Sequence, residues 1–325
     1  MPQKLAAIVV NTFLETVRQP IYGVLLWVCV GWIAFISPAL AAFSLTSGYD
    51  KKIMQDVSLS TMLLYGLLCS VFSASSVITR EIESFTVLTV ISKPVGRPTF
   101  ILGKYLGVSA ALLVGFCVLS MALVMTVRHG TMETASDKYD QPVLVFSSLA
   151  ILISLIAATF GNYVYGWHFS AALLAWIVPL GTIATGLVMI LSPKWTLQSP
   201  GTDFGDMQVV YALVLVYCAA LILTAFAVAL ATRFSQVVTL TLCLGVFLLG
   251  LLSDYYFGRN AAQGPIFSLL AALLPNFQFF WLGDALTQDL MVQLGHVLWV
   301  AAYAAVYSLA VLCIGVSLFQ TREVG

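Results

Sequence analysis

An all-α, polytopic bundle of membrane-spanning helices is predicted for this chain, and three observations predict it. Of its 325 residues, 61% are hydrophobic and only 9% are charged, too little charge to cover a soluble domain of this size. Mean hydropathy is +1.00. The charged residues gather into short stretches between long uncharged apolar runs, several of them beyond the about 20 residues that cross a bilayer as a helix. The formal net charge is zero, which excludes a nucleic-acid binder working by bulk electrostatics.

A charge in mid-bilayer costs about 2.5–3.5 kcal/mol on insertion scales, so charge-free gaps locate the elements in order. Residues 4–18 come first. Leu5, Ile8, Val9, Thr12 and Phe13 share one helical face, with Asn11, Glu15 and Arg18 largely elsewhere. Pro20 breaks the helix, which predicts an interfacial element lying flat ahead of the first span, an extension of span one being the other reading of these residues. Its polar residues interrupt the apolar pattern, and the next run is too long for a signal-peptide core, so the start is expected to stay as an anchor. Span one is about 21–43. Spans two and three, 57–79 and 105–127, are 23 residues each without Asp, Glu, Lys or Arg. Residues 141–193 run 53 positions without such a charge, which predicts two crossings joined at the turn 161–168, GNYVYGWH. Span six lies in 207–232, span seven in 234–253 and the last at about 297–319.

Residues 260–283 are broken by Gly264-Pro265 and Pro275-Asn276. The apolar piece between them is too short to cross, so a re-entrant or interfacial segment is expected, with its backbone covered by protein or a wet cavity. A crossing there would raise the count to nine. With eight spans both termini share one face. That face carries eight basic and four acidic residues against six and ten on the other, which places the termini in the cytoplasm. Residues 1–325 read as a single transmembrane domain. No segment between spans is long enough to fold as a soluble domain, so soluble machinery is expected from another chain.

Ion-coupled transport calls for ionisable groups near the bilayer midplane, and no predicted span holds one at its centre. His129, His168 and His296 are isolated, with no H-E-x-x-H pattern. The six cysteines lie inside apolar runs without close pairs and read as buried small hydrophobes. Gly103-Lys104 is followed by Tyr105 instead of the Ser or Thr that a phosphate loop requires, and the glycine five positions earlier is missing. Gly107/Gly115, Ala227/Ala231 and Ala301/Ala305 mark close helix contacts.

The polar island 80–98, REIESFTVLTVISKPVGRP, stands between spans two and three. Residues 81–92 suit a short helix capped by Thr79 and stopped by Pro94, with Ile82 and Phe85 on one face and Glu81 and Glu83 in the first turn, where carboxylates suit the helix dipole. Such a helix held on the cytoplasmic face fits a partner's groove. A membrane-surface loop anchored by Lys93 and Arg97 is the other reading of the same residues.

Glu81, Thr86, and the run ISKPVGRPTFILGKYLG over 91–107 resemble the permeases of type-2 ATP-binding cassette (ABC) exporters. That family has a Glu, then Gly-Thr or Arg-Thr, then a Pro-x-x-Arg step and a Gly-Lys opening the next span; Glu81, Thr86, Pro94, Arg97, Gly103 and Lys104 match. Phe85 stands where Gly or Arg is usual. Phe13, Glu15 and Arg18 resemble the family's elbow helix. Arg233-Phe234-Ser235, Leu274-Pro275-Asn276 and the ending Phe319-Gln320-Thr321-Arg322 resemble its later pattern. The likeness covers about 4–107 and 209–322. The family core has six spans, so residues 143–192 form an extra pair.

The resemblance implies a permease that pairs with a second copy or a sister permease and docks a separate ABC ATPase subunit. Docking would use Glu81, Glu83, Phe85, Thr86, Lys93, Pro94, Arg97 and Lys104. It implies no cofactor on this chain, ATP and Mg being bound by the ATPase, and a multi-pass place in the cell membrane (the inner membrane of a bacterium). The short outer loops leave room for an extracytoplasmic accessory protein. The alternative is an ATPase-independent transporter or a membrane scaffold subunit.

Overall fold

The computed structural model describes residues 2–43, 50–83, 96–131, 139–199, 208–260, 264–287 and 290–320. The helices are α1 (Pro2–Val17), α2 (Pro20–Ala41), α3 (Asp50–Glu83), α4 (Arg97–His129), α5 (Gln141–Tyr165), α6 (Phe169–Ile190), α7 (Gln208–Ala231), α8 (Gln236–Gly258), α9 (Pro265–Leu273), α10 (Gly283–Thr287) and α11 (Leu294–Gln320). Eight of these, α2 to α8 and α11, are long and apolar enough to span a membrane. The chain is an all-α, multi-pass membrane bundle, as its charge gaps predict.

The bundle has a centre and a rim. α3, α4 and α7 are the most buried spans, whereas α2, α5 and α8 are buried on one narrow stripe. A chain of rings crosses the centre: Tyr22, Tyr65, Phe116 and Tyr217 follow one another at centroid spacings of 6.4, 6.0 and 5.3 Å. The Tyr22 hydroxyl donates to the Ala111 carbonyl at 2.8 Å and that of Tyr217 to the Ser109 carbonyl at 2.9 Å, which gives these two phenols a partner. Gly115 leaves the space that the Tyr65 ring occupies, and Gly66 lets α3 close on Ala220 of α7. Small residues thus set the closest approaches between helices, where lipid supplies no hydrophobic drive.

α5 and α6 form a hairpin at the rim. They pack mainly on each other, and α6 carries most of the pair's contact with α4. The turn is tighter than 161–168: α5 runs through Tyr165, Gly166 takes the left-handed conformation (φ 68°) and α6 begins after His168. That is a glycine C-cap. The Asn162 amide closes it by donating to the Trp167 carbonyl at 2.6 Å. α2 widens by one π-turn at Trp32–Ile36. Pro38, just beyond, lacks an N–H and would press on the carbonyl four residues back, which a widened turn relieves.

Residues 264–287 do not cross. α9 is nine residues long, and the tip Pro275–Phe277 sits against Gly250 of α8, about 12 Å along the helix from its end at Gly258. The broken backbone is satisfied from within: the Asn276 N–H donates to the Tyr303 hydroxyl at 3.2 Å, the Tyr307 hydroxyl donates to the Leu273 carbonyl at 2.6 Å, and the Gln278 amide donates to the Leu251 carbonyl at 2.9 Å. A re-entrant segment tolerates its depth on those terms.

Two helix boundaries differ from the sequence reading. α3 is continuous from Asp50 through Glu83, so no new helix starts after Thr79; no Gly or Pro stands there to break the i to i−4 ladder. α4 begins at Arg97 instead of Tyr105, because a charge-free gap marks the hydrocarbon and not the ends of the helix.

Candidate functional site

The face that bears the termini collects four chain segments in one cluster: α1, the start of α4, the turn after α7 and the end of α11. α1 lies along the first turns of α4. Ile8 sits over Gly103 and Thr12 over Gly107; a methyl group added at either glycine would come within 2.5 Å of those side chains. Gly103 and Gly107 are four apart on one face of α4, so together they make the seat on which α1 rests. The predicted apolar face of α1 meets this seat: Thr12 is buried and Leu5, Ile8, Val9 and Phe13 are half-buried, and Thr16 and Val17, outside that prediction, are buried too. α1 ends at Val17, and Pro20 then occupies the first turn of α2, where its missing N–H does no harm.

The end of α11 is gripped from two sides. The Arg97 guanidinium lies 5.7 Å over the Phe319 ring and donates to the Phe319 carbonyl at 3.5 Å. Arg233, in the α7–α8 turn, donates to the Leu318 carbonyl at 3.1 Å. Two cations on the last carbonyls of a helix complement its dipole. Phe319 is buried and stacks on Phe100 of α4, centroids 5.7 Å apart with planes at 16°. The Lys104 ammonium lies 5.5 Å from the Phe100 ring on the same helix. Arg97, Phe319, Phe100 and Lys104 therefore tie α4 to α11 through rings and cations.

Among the predicted docking residues, Arg97 is half-buried at the outer edge of the cluster. Lys104 is 1% exposed, so its side chain belongs to the packing beneath that surface. Glu81 and Glu83 continue α3 as helix; Phe85, Thr86, Lys93 and Pro94 lie outside the described residues. In the elbow, Glu15 is half-buried and Arg18 is exposed. Phe100, Arg233 and Phe319 join Arg97 and Lys104 in the cluster, and of these three only Arg233 and Phe319 stood out in sequence, as parts of a pattern; Arg97 and Phe319 meet across 222 residues.

The opposite face has its own polar contact. Arg128 at the end of α4 pairs with Asp140 at 3.0 Å, both side chains buried, and also donates to the Leu191 carbonyl at the end of α6. Asp140 in turn caps α5 by accepting from the Val143 N–H at 3.3 Å. One ion pair thus pins the hairpin to the bundle. Among the described residues no three His, Cys, Asp or Glu side chains come together as metal ligands.

No protein-family model matches the chain, and no curated protein sequence matches it.

Proposed function

We propose that this chain is the membrane permease of an ATP-driven transporter of the type-2 ABC exporter kind, working as a pair of permeases with a separate ATPase docked on the face that bears the termini. The observation that carries this reading is the cluster just described. Residues 84–95 connect α3 to α4 at the point where α4 is locked to α1 and α11. A partner that moved that connection would move a packed unit of three helices and not a loose loop. ATP binding closes the ATPase pair, and its differential affinity for one arrangement of the spans shifts the permease between states. In this reading the termini lie in the cytoplasm, ATP and Mg are held by the partner, and the chain itself performs no hydrolysis.

The test is coupling. Glu81→Ala and Arg97→Ala are expected to lower permease-stimulated ATP hydrolysis while expression and helical content stay at the parent level. Full stimulation in both variants would count against docking at this face and favour a transporter or scaffold without an ATPase.

A further inference from the structure

On the side away from the termini, α2, α4, α5 and α6 enclose a cavity of about 610 Å³, within the about 300–1,000 Å³ range of small-molecule sites. It exists because α5 leans on α6 and barely touches α4, and α2 makes no extended contact with α5. Its floor is formed by Trp27, Val118 and Ile177. Its mouth is formed by His129 and Tyr139, whose rings are 6.1 Å apart. Between floor and mouth the wall is almost wholly apolar. Phe35 of α2 and Ile151 of α5 line the cavity and stay well exposed, which fits a slot that opens sideways between these helices.

Dimensions choose the occupant. From Val118 to Gly130 the cavity follows α4 for about 18 Å, close to the thickness of one leaflet, which is about 15 Å or half the hydrocarbon core. Spread over that length, the volume open to atom centres is about 6–7 Å across, or about 9–10 Å from wall to wall, still narrower than a helix of about 10–12 Å with its side chains. A span of a second copy therefore fits this slot poorly. A hydrocarbon chain fits it. Hydrocarbon is what surrounds these spans, and the imidazole and phenol stand at one end only, where a headgroup would lie; amphipathic rings favour that level.

We propose that this cavity is a lipid site that takes the acyl tail of a bilayer phospholipid from the leaflet opposite the termini, with its headgroup beside His129 and Tyr139. The lipid fills the wedge between the α5–α6 hairpin and the bundle, while the Arg128–Asp140 pair holds the hairpin at the mouth. The inference rests on packing alone and stands whether or not the chain couples to an ATPase.

The test uses the full chain in phosphatidylethanolamine–phosphatidylglycerol vesicles doped with a phosphatidylethanolamine that carries a diazirine near the end of one acyl tail. After illumination, adducts are mapped by mass spectrometry. Adducts are expected on Val118 and Ile177, besides those on outward residues of α11 such as Trp299 and Val306. The Ala34→Trp/Ala122→Trp variant, which fills the cavity, should lose the inner adducts and keep those on α11. Wild-type adducts confined to outward surfaces would overturn the proposal, and that map decides even where the variant does not fold. Inner adducts that persist in the folded variant would overturn it too. So would inner labelling by a diazirine fatty acid but not by the phospholipid, or cross-links from these positions to a second copy.

Discussion

Gly107→Ala isolates the contact on which the termini face is built. A methyl at this position would stand 2.5 Å from the Thr12 Cβ and 2.8 Å from the Val9 carbonyl oxygen. The second neighbour is backbone, so no side-chain rotation clears it, and α1 must move. Alanine is the better helix former by about 1 kcal/mol, but that gain falls on α4 whether α1 is seated or not, and it cancels from the seating equilibrium. What remains is overpacking, about 1–3 kcal/mol, which shifts the seated population by about 5- to 150-fold. Amide hydrogen exchange of α1, measured in nanodiscs, should rise by that factor while the amides of α3 and α7 hold. Gly23→Ala is the control, since nothing lies within 4 Å of the added methyl; α1 exchange should stay at the parent rate. Unchanged α1 exchange in Gly107→Ala would refute the glycine seat.

Arg128→Ala should lower stability by about 3–5 kcal/mol, because it leaves the Asp140 carboxylate buried without its counter-charge. The Arg128→Met/Asp140→Asn pair, which keeps a capping side chain on α5, should recover most of that loss in denaturant unfolding in detergent. At the other face, a double-mutant cycle of Arg97→Ala and Phe319→Ala is expected to give a coupling of about 0.5–2 kcal/mol. Strictly additive losses would mean that the stacked guanidinium contributes nothing to holding α11.

The crossings were legible because charge is prohibitive in hydrocarbon, and the gaps at 57–79 and 105–127 fall inside α3 and α4 as expected. That 264–287 does not cross was legible from Gly264-Pro265 and Pro275-Asn276, which bound an apolar piece too short to span. What satisfies its backbone was not legible. Tyr303 and Tyr307 look like ordinary apolar-face residues of the last span until the fold brings them under Asn276 and Leu273. The same holds for Phe319, which meets Arg97 at a separation of 222 residues. Gly103 was visible only as part of a Gly-Lys pair; that its missing side chain makes room for Ile8 depends on where α1 docks. The cavity depends on the lean of α5 away from α4, a tertiary angle with no local signature.

A photo-reactive amino acid in place of Lys93, activated in intact membranes, tests the central claim most directly. The account predicts a cross-link to a polypeptide that binds and hydrolyses ATP, formed from the cytoplasmic side. Cross-links only to lipid or to proteins of the outer side, with Lys93 reachable by impermeant reagents from outside the cell, would contradict it.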